Sequence, residues 1–404
     1  MKENPLIEVN KALDIILRES EDFGTEEVSL SESLGRVLKE NIRADRDLPP
    51  FDRVSMDGIA ISSQKFEDGI REFRIESVQA AGSPRLRLES DENCIEAMTG
   101  AVLPEYTDAV VPYEQLEIED GVARILSKEV QLMQNVHRQG LDRKINDLII
   151  ESERIISSAE IGVMATVGAD RIRVGRLPKV AVVSTGDELV PVESKPLPHQ
   201  IRMSNVHSLR SLLNPYGIEP DLYHLTDDPV SLQQKIGSLL DDYEVLIFSG
   251  AVSKGKFDHL PGILDDLGVV KLFHRVQQRP GKPFWFGKRD KVTVFAFPGN
   301  PVSTCVSFVK YFLPWLRKGL GIVPVEEKFA VLDEDFEFKP MLTYFLQVRL
   351  VNRRGTVYAI PEAGNGSGDL ANLTLNDAFL ELPAERSHFR KGEVFPYLRF
   401  RMTS

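Results

Sequence analysis

Residues 178–320 constrain the fold more than any other part of the chain, because short apolar runs alternate there with segments of helical spacing. The apolar runs include VAVVST at 180–185, EVLIFSG at 244–250 and KVTVFAFPGN at 291–300. One intervening segment has Pro229 near its first position, where proline favours the start of a helix. Nearly continuous apolar strands that alternate with helices are typical of a mostly parallel sheet covered on both faces. We therefore predict a central three-layer α/β domain.

The chain is too long for one ordinary core, and its pattern changes on either side of the α/β segment. Its 404 residues favour about two to four domains. Residues 59–132 and the stretch after about 325 contain short strand patterns separated by Gly, Pro and Asp turns. We predict a multidomain α/β plus β protein. The predicted domains are an N-terminal domain (1–48 and 137–176), a β-rich domain (49–136), the α/β domain (177–323) and a C-terminal β-barrel-like domain (324–404).

Composition excludes several classes of partner. No run approaches the roughly 20 apolar residues of a membrane span, and the N-terminus lacks the pattern of a signal peptide. Cys94 and Cys305 are the only cysteines, so a disulfide framework is not expected. The net charge of -12 argues against nucleic acid or an anionic membrane as partner. We expect a soluble, cytoplasmic protein, in which a phosphate site would have to be built locally.

Glycine-rich and polar loops follow the predicted parallel strands, at the edge where ligands bind in such sheets. Glycine and serine let backbone N–H groups approach an anion, and helix N-termini favour negative charge. Each loop alone is more typical of a plain turn, and Asp227 or Asp228 could simply cap the next helix. Several loops on one edge indicate a ligand site instead. The loops are residues 185–188, 227–229, 249–255 and 298–301.

Charged residues of both signs accompany these loops. Carboxylates would repel a bare phosphate, so we expect a divalent metal ion such as Mg²⁺ that binds the carboxylates and the phosphate oxygens together. The sequence therefore predicts a phosphate-bearing small molecule bound together with a metal ion. The cations are Lys254, Lys256, Arg279 and Lys282, and the carboxylates are Asp187, Glu188, Asp228 and Asp258.

Two polar segments lie in the predicted β-rich region. Asp57 stands beside a glycine before a strand, and Thr99 follows another strand and offers a hydroxyl next to free backbone amides. Alone, each segment is typical of a turn. A role at the ligand site would require these loops to reach the α/β edge, across domains or from a second subunit.

Several segments, spread in order over nearly the whole chain, carry a more specific signal. They are LPPFDRVSMDGIAI, AGSP with CIEAMTGAVLP, DAVVPYEQ, VAVVSTGDELV, SGAVSKGKFD, RPGKPFWFG and FPGNPVS. Together they resemble the molybdopterin molybdenumtransferases, the MoeA family, whose animal relative is the C-terminal domain of gephyrin. The resemblance implies insertion of molybdate into adenylylated molybdopterin with loss of AMP, which gives molybdenum cofactor.

The resemblance also implies an architecture and a set of site residues. The subunit would have four domains, the first an elongated linker and dimerisation domain, and the α/β domain would bind molybdopterin. The active form would be an elongated homodimer whose site lies between the α/β domain of one subunit and the N-terminal β region of the other. Protein partners would be the molybdopterin adenylyltransferase and the acceptor molybdenum enzymes.

The implied catalytic residues are Asp57, Thr99, Asp142, Glu188 and Asp258. The implied metal ligands are Glu188, Asp228 and Asp258. The implied substrate contacts are Thr185, Gly186, Asp187, Asp228, Ser249, Gly250, Ser253, Lys254, Arg279, Lys282, Pro298, Asn300 and Pro301.

Elementary chemistry agrees with that reaction. Molybdate is a tetrahedral oxyanion, which hydroxyls, backbone amides and cations hold well. Cleavage of a pyrophosphate bond is favoured when Mg²⁺ bridges the phosphate oxygens. We hypothesise that positioning and charge neutralisation supply most of the rate and that no protein nucleophile is needed.

The chain departs from the family pattern at a few positions. Ala251 stands where the family commonly has a second glycine, and Met203 stands where it often has aspartate. Arg279 replaces a frequent lysine and keeps the charge. The segment TYFLQVR lacks a Gly-Arg pair associated with that strand. These departures concern the pocket and interface more than the reaction class.

Two alternative functions are open at this stage. A molybdopterin adenylyltransferase shares the α/β domain but would not need the flanking β regions. A non-catalytic scaffold of the gephyrin kind would keep the fold without needing Asp57, Thr99, Glu188 and Asp258. Their retention favours the enzyme.

Overall fold

The computed structural model describes residues 6–252, 259–322 and 326–401. The chain divides into two compact units by its internal contacts. The first, called here the N-terminal unit, comprises Glu40–Ser152 and Ser158–Ile172. The second, called the α/β–barrel unit, comprises Met1–Lys39, Glu153–Ser157 and Arg173–Ser404. Within the described ranges, every helix is too short or too polar to cross a membrane. The division into four domains stays a prediction.

The N-terminal unit is built around a six-stranded sheet whose inward side chains form one apolar cluster. Ile59, Ile61, Phe73 and Val111 belong to this cluster, and Cys94 lies among them as a buried free thiol. Two short strand pairs and two helices complete the unit. The sheet strands, in spatial order, are Ala109–Pro112, Gly58–Ile61, Asn93–Ala97, Glu72–Gln79, Val122–Ile125 and Leu116–Glu119. The short pairs are Arg53–Val54 with Val136–His137 and Ile42–Arg43 with Leu148–Ile150, and the helices are Ser63–Glu67 and Ser158–Thr166.

The α/β part of the second unit contains a mixed six-stranded sheet. Parallel pairing joins the first four strands, and antiparallel pairing joins the last two. The apolar runs of the sequence form the central strands because they are buried on both sides. In spatial order the strands are Asp221–Leu225, Val180–Thr185, Val245–Ser249, Val292–Phe297, Trp285–Arg289 and Val270–His274.

Alternate residues of the strand Val180–Thr185 belong to two different apolar clusters. Val182 packs in a cluster with the helix Asn205–Leu213, and Val183 packs in another with the helix Pro229–Asp242. This alternation follows from the period of two along a strand. The remaining helices of this unit are Val9–Arg18, Leu260–Asp266 and a run made of Pro301–Ser307, the π-helical turn Phe308–Phe312 and Leu313–Gly319.

The C-terminal sheet closes into a five-stranded barrel, as the sequence predicts. The long strand Thr343–Arg353 pairs with both Thr356–Pro361 and Ala378–Leu382, and Phe329–Leu332 pairs with Val394–Arg399. The pairings of Phe329–Leu332 with Thr356–Pro361 and of Ala378–Leu382 with Val394–Arg399 complete the ring. The short strand Gln278–Arg279 pairs in parallel with the start of Thr343–Arg353. The sequence prediction of a multidomain α/β protein with a C-terminal barrel is therefore confirmed. The other strands are Thr25–Ser29, Val37–Leu38, Arg154–Ile155, Arg171–Gly175, Leu189–Val190, Ile201–Arg202, Phe336–Glu337 and His388–Phe389.

Glu244 and Arg176 form a bidentate pair that ties the start of the α/β sheet to the preceding chain. Arg176 donates to both carboxylate oxygens at 2.8 and 2.6 Å, and the Lys179 amide donates to the same carboxylate at 3.0 Å. The hydrogen bonds from Arg176 lower the pKa of Glu244 below its ordinary value. A depressed folded-state pKa stabilises the fold above the unfolded pKa, and this contribution is lost as the pH falls through the folded value.

We expect Glu244→Gln to lower the free energy of unfolding by about 1 kcal/mol at neutral pH, because the pair is partly screened by solvent. The difference from wild type should shrink as the pH falls through the lowered folded-state pKa of Glu244, because the wild-type carboxylate then also becomes neutral. Both tryptophans, Trp285 and Trp315, are buried in this unit, so denaturant unfolding followed by their fluorescence is a local measurement. Glu219→Gln, at an exposed pair with Arg210, is the control. A difference that stays constant with pH would contradict the prediction.

Candidate functional site

A cleft of about 620 Å³ lies at the carboxyl ends of the parallel strands Val180–Thr185 and Val245–Ser249. This is the edge at which the sequence predicts ligand loops. The barrel region also contributes to the wall, through Gly368 and Leu370. The predicted residues that line the cleft are Thr185, Gly186, Glu188, Ser249, Gly250, Asn300 and Pro301.

Two glycines shape the floor of the cleft because a side chain would not fit their backbone. Gly186 and Gly250 have φ of +133° and +117°, values that L-residues rarely adopt. A Cβ atom on Gly250 would lie 2.8 Å from Thr185 Oγ1 and 3.0 Å from the Thr185 carbonyl oxygen. Thr185 Oγ1 is itself buried and has no hydrogen-bond partner among the residues that the structure describes. The backbone thus approaches closely here, as it does in sites that receive an anion or a planar ring.

One amide side chain connects the loops around the cleft. Asn205 Nδ2 donates to Ser249 Oγ at 2.8 Å and to the Gly299 carbonyl oxygen at 2.6 Å. Asn300 Nδ2 donates to Ser367 Oγ at 2.8 Å and so connects the next loop to the barrel region. Ser204 occupies the N-cap position of the helix Asn205–Leu213, so Asn205 is the first residue of that helix, and sequence reasoning did not assign it to the site. The available signal was a polar residue in the first turn of a helix at the ligand edge.

An acidic group lies on one side of the cleft. Glu188 and Asp227 line it, and Asp187 Oδ1 accepts a hydrogen bond from the Asp227 amide at 3.0 Å. Burial, followed by the negative charge of Asp187, raises the pKa of Asp227, and Glu188 adds to this effect. These carboxylates destabilise one another's charge, which is the condition that a bound cation relieves.

Asp228 has a different role in the structure from its neighbour. Its carboxylate accepts a hydrogen bond from the Ser231 amide at 2.8 Å and caps the helix Pro229–Asp242. It is absent from the cleft lining, where Asp227 is found instead. Among the residues that the structure describes, three or more His, Cys, Asp or Glu side chains nowhere gather in a metal-binding arrangement.

Several other predicted contacts do not line the cleft: Asp187, Arg279, Lys282 and Pro298. Ser253, Lys254 and Asp258 lie outside the described residues. Arg279 is exposed, with its guanidinium 5.9 Å from the centre of the Phe338 ring. Among the described residues, Arg202 is the cation that lines the cleft, and sequence reasoning missed it. The two departures Met203 and Ala251 also line it.

The predicted residues of the N-terminal unit form two local arrangements. Asp57 Oδ1 accepts hydrogen bonds from the Thr99 amide at 2.6 Å and from the Thr99 hydroxyl at 2.7 Å. These bonds, the amide first, lower the pKa of Asp57, so the side chain is held as a carboxylate. The adjacent Gly58 admits no side chain, since a Cβ atom would overlap the Val111 carbonyl oxygen. Asp142 Oδ1 lies 3.1 Å from His137 Nε2.

The chain matches three family models in succession. Residues 7–168 match the MoeA N-terminal region (domain I and II), and residues 181–318 match a probable molybdopterin binding domain. Residues 330–400 match the MoeA C-terminal region (domain IV). The matches thus include the regions on both sides of the α/β sheet.

Curated relatives match over almost the full length. A molybdopterin molybdenumtransferase from Synechocystis sp. is 38% identical over 397 residues, which are 97% of this chain and 99% of the relative. The protein of the same name from Staphylococcus epidermidis is 31% identical, over 96% of this chain and 94% of the relative. A crystal structure of the molybdopterin biosynthesis MoeA protein from Pyrococcus horikoshii superimposes with a TM-score of 0.83 at 27% identity, over 99% of this chain and 100% of that chain.

Proposed function

Because the chain belongs to the molybdopterin molybdenumtransferases, we propose that it inserts molybdate into adenylylated molybdopterin and releases AMP to form molybdenum cofactor. The observation that carries the proposal is the cleft, where glycine backbone, hydroxyls and carboxylates meet at one edge of the α/β sheet. An adenylyltransferase would not need the flanking regions, which this chain shares with its relatives. A scaffold would not need the acidic group beside the cleft.

The residues of the cleft suit an anionic substrate pair. The hydroxyl of Ser249 can donate to an oxygen of molybdate or of a phosphate, and Gly250, whose own N–H donates to the Phe297 carbonyl oxygen, lets the substrate approach because it has no side chain. Arg202 supplies positive charge at the same cleft. In the proposed reaction a molybdate oxygen attacks the molybdopterin phosphorus in line with the departing adenylate, so a P–O–Mo link forms while the P–O bond to AMP breaks and AMP leaves with the electron pair. The two dithiolene thiols of molybdopterin then displace oxygen from molybdenum as water, a second water cleaves the P–O–Mo link, and molybdenum keeps its oxidation state. The chain's part is to align these groups and neutralise their charge.

We propose that Mg²⁺ takes part, because the acidic group fits a hard cation. Burial, followed by the negative charges of Asp187 and Glu188, raises the pKa of Asp227, and a bound cation would relieve this cost. Glu188 and Asp227 would hold the ion, with Asp228 and Asp258 as the further carboxylates that the sequence predicts. Bound Mg²⁺ would neutralise charge on the phosphate oxygens. We further propose a cytoplasmic homodimer in which Asp57, Thr99 and Asp142 contribute to catalysis.

The test is molybdate-dependent release of AMP from adenylylated molybdopterin by the purified full-length protein, with and without Mg²⁺. We expect release only when molybdate and Mg²⁺ are both present, and slower release from Asp57→Ala than from the exposed control Asp45→Ala. A second reaction with molybdopterin and ATP tests for an adenylyltransferase. Consumption of ATP, or no release of AMP under any condition, would overturn the proposed function. Sedimentation of the same protein tests the dimer.

A further inference from the structure

The orientation of the Asn205 amide is fixed by its neighbours. The Gly299 carbonyl oxygen, 2.6 Å away, is only an acceptor, so the side-chain atom that faces it must be the nitrogen. The same NH₂ group has a second hydrogen, and Ser249 Oγ lies 2.8 Å from the nitrogen. The Ser249 oxygen therefore accepts this hydrogen bond.

This contact determines what the Ser249 hydroxyl can still do. Ser249 is 3% exposed and lines the cleft. With its oxygen accepting from Asn205, its own O–H remains as a donor, and within the described ranges no protein acceptor for it is found. A hydroxyl that accepts one hydrogen bond also becomes a stronger donor. The O–H is thus prepared for an acceptor that a ligand in the cleft would supply.

Asn205 also controls how closely the loops approach each other. It is the first residue of the helix Asn205–Leu213, and it reaches the end of the strand Val245–Ser249 and the loop at Gly299. A Cβ atom on Gly299 would lie 3.5 Å from Gly250 Cα, so these two loops are in contact. One side chain therefore fixes both the direction of a donor and the position of the loops around it.

We propose that Asn205 is a positioning residue that directs the Ser249 O–H to an acceptor oxygen of the bound substrate. The acceptor is a phosphate oxygen or a pterin carbonyl, and the identity of the substrate rests on the proposed function. Asn205 itself does not react. Its removal would weaken substrate binding through Ser249 and would leave the Ser249 side chain in place.

The test measures binding of molybdopterin and of AMP, separately, to the full-length protein. In Asn205→Asp, a carboxylate of nearly the same shape takes the Ser249 proton for itself and turns the donor away from the ligand. We expect about a 10-fold rise in Kd for the half of the substrate that carries the acceptor oxygen. Asn214→Asp adds the same charge to the far end of the same helix and should bind as wild type does. If molybdopterin loses affinity, the acceptor oxygen belongs to molybdopterin, and if AMP loses affinity, it belongs to AMP.

Two further measurements separate positioning from a merely structural role. Lowering the pH from about 8 to about 4, the ordinary pKa of an aspartate carboxyl, should narrow the gap in Kd between Asn205→Asp and wild type, because a protonated carboxyl can donate again, whereas Asn205→Ala should show no such recovery. Asn205→Ala and Ser249→Ala should be non-additive in a double-mutant cycle, because both remove the same contact to the ligand. Tryptophan fluorescence of each variant checks that it is folded.

The outcomes distinguish this inference from the proposed function. If wild type binds neither molybdopterin nor AMP, the proposed function is overturned. If wild type binds and Asn205→Asp binds as tightly as Asn214→Asp, the positioning role is overturned. Full additivity of the effects of Asn205→Ala and Ser249→Ala on Kd would also overturn the positioning role. This double-mutant cycle tests the role even if Asn205→Asp does not fold.

Discussion

Glu188→Gln is expected to slow molybdate-dependent AMP release by about 100-fold or more, because one preorganised charged group in such a site is commonly worth that much. Glu188 lines the cleft beside Asp227, while its side chain is exposed, so the fold should be little affected. If the carboxylate helps to hold Mg²⁺, the variant should also need a higher Mg²⁺ concentration for half-maximal rate. The measurement is the rate of AMP release as a function of Mg²⁺.

The matched control for this prediction is Glu193→Gln. Glu193 is exposed, lies in the same segment of the chain and is absent from the cleft lining. It should retain the wild-type rate and Mg²⁺ dependence. Equal rates for Glu188→Gln and Glu193→Gln would remove Glu188 from the catalytic group. An unchanged Mg²⁺ requirement with a reduced rate would keep Glu188 in catalysis but reject it as a metal ligand.

Lys310→Met is expected to lower the free energy of unfolding by about 3–5 kcal/mol, the usual cost when a buried charge loses its partner. Lys310 Nζ lies 2.7 Å from Glu381 Oε2, and the two side chains are only 8% and 14% exposed. The pair connects the π-helical turn Phe308–Phe312 to the barrel strand Ala378–Leu382. Removing the lysine leaves the Glu381 carboxylate in an apolar setting without its counter-charge.

A second variant separates the loss of the partner from the loss of the interaction. In Lys310→Met/Glu381→Leu both charges are replaced by apolar groups, and stability should return to near the wild-type value. Arg386→Gln, at the more exposed pair with Glu393, should cost about 1 kcal/mol or less. Denaturant unfolding, followed by the fluorescence of Trp285 and Trp315, measures all three. If Lys310→Met and Lys310→Met/Glu381→Leu had equal free energies of unfolding, the cost would not come from the unpaired Glu381 carboxylate.

The sheet edge and its glycine loops could be predicted from the sequence because buried parallel strands are almost continuously apolar. The apolar segments VAVVST and EVLIFSG are best buried as central strands of a parallel sheet. The loops that follow parallel strands lie at the same edge of that sheet. It was harder to predict which of Asp227 and Asp228 caps the helix and which lines the cleft. Pro229 is the first residue of its helix, which makes Asp228 the cap and leaves Asp227 for the cleft. That argument was available from the sequence, but it depends on an accurate helix boundary.

Other site residues depend on contacts that are distant in sequence. Asn205 reaches Ser249 and Gly299, and no local pattern specifies such a contact. Arg279 stands next to a predicted loop, but the strand Gln278–Arg279 pairs with the barrel strand Thr343–Arg353 and is held there. The contact of Asp57 with Thr99 likewise joins two separate strand ends, and the family resemblance implied only that each residue belongs to the site.

The closed barrel has a consequence for how this chain is made on the ribosome. Its first strand, Phe329–Leu332, pairs with Val394–Arg399, which is the last of the five strands to be synthesised. Until that strand emerges the ring cannot close, and Phe329–Leu332 and Ala378–Leu382 each lack the strand that pairs with their N–H and C=O groups. The regions before it can begin to fold during this time. Barrel closure therefore has to wait for the synthesis of Val394–Arg399, and in the interval before it the unpaired strand edges of the nascent chain are open to pairing with other chains.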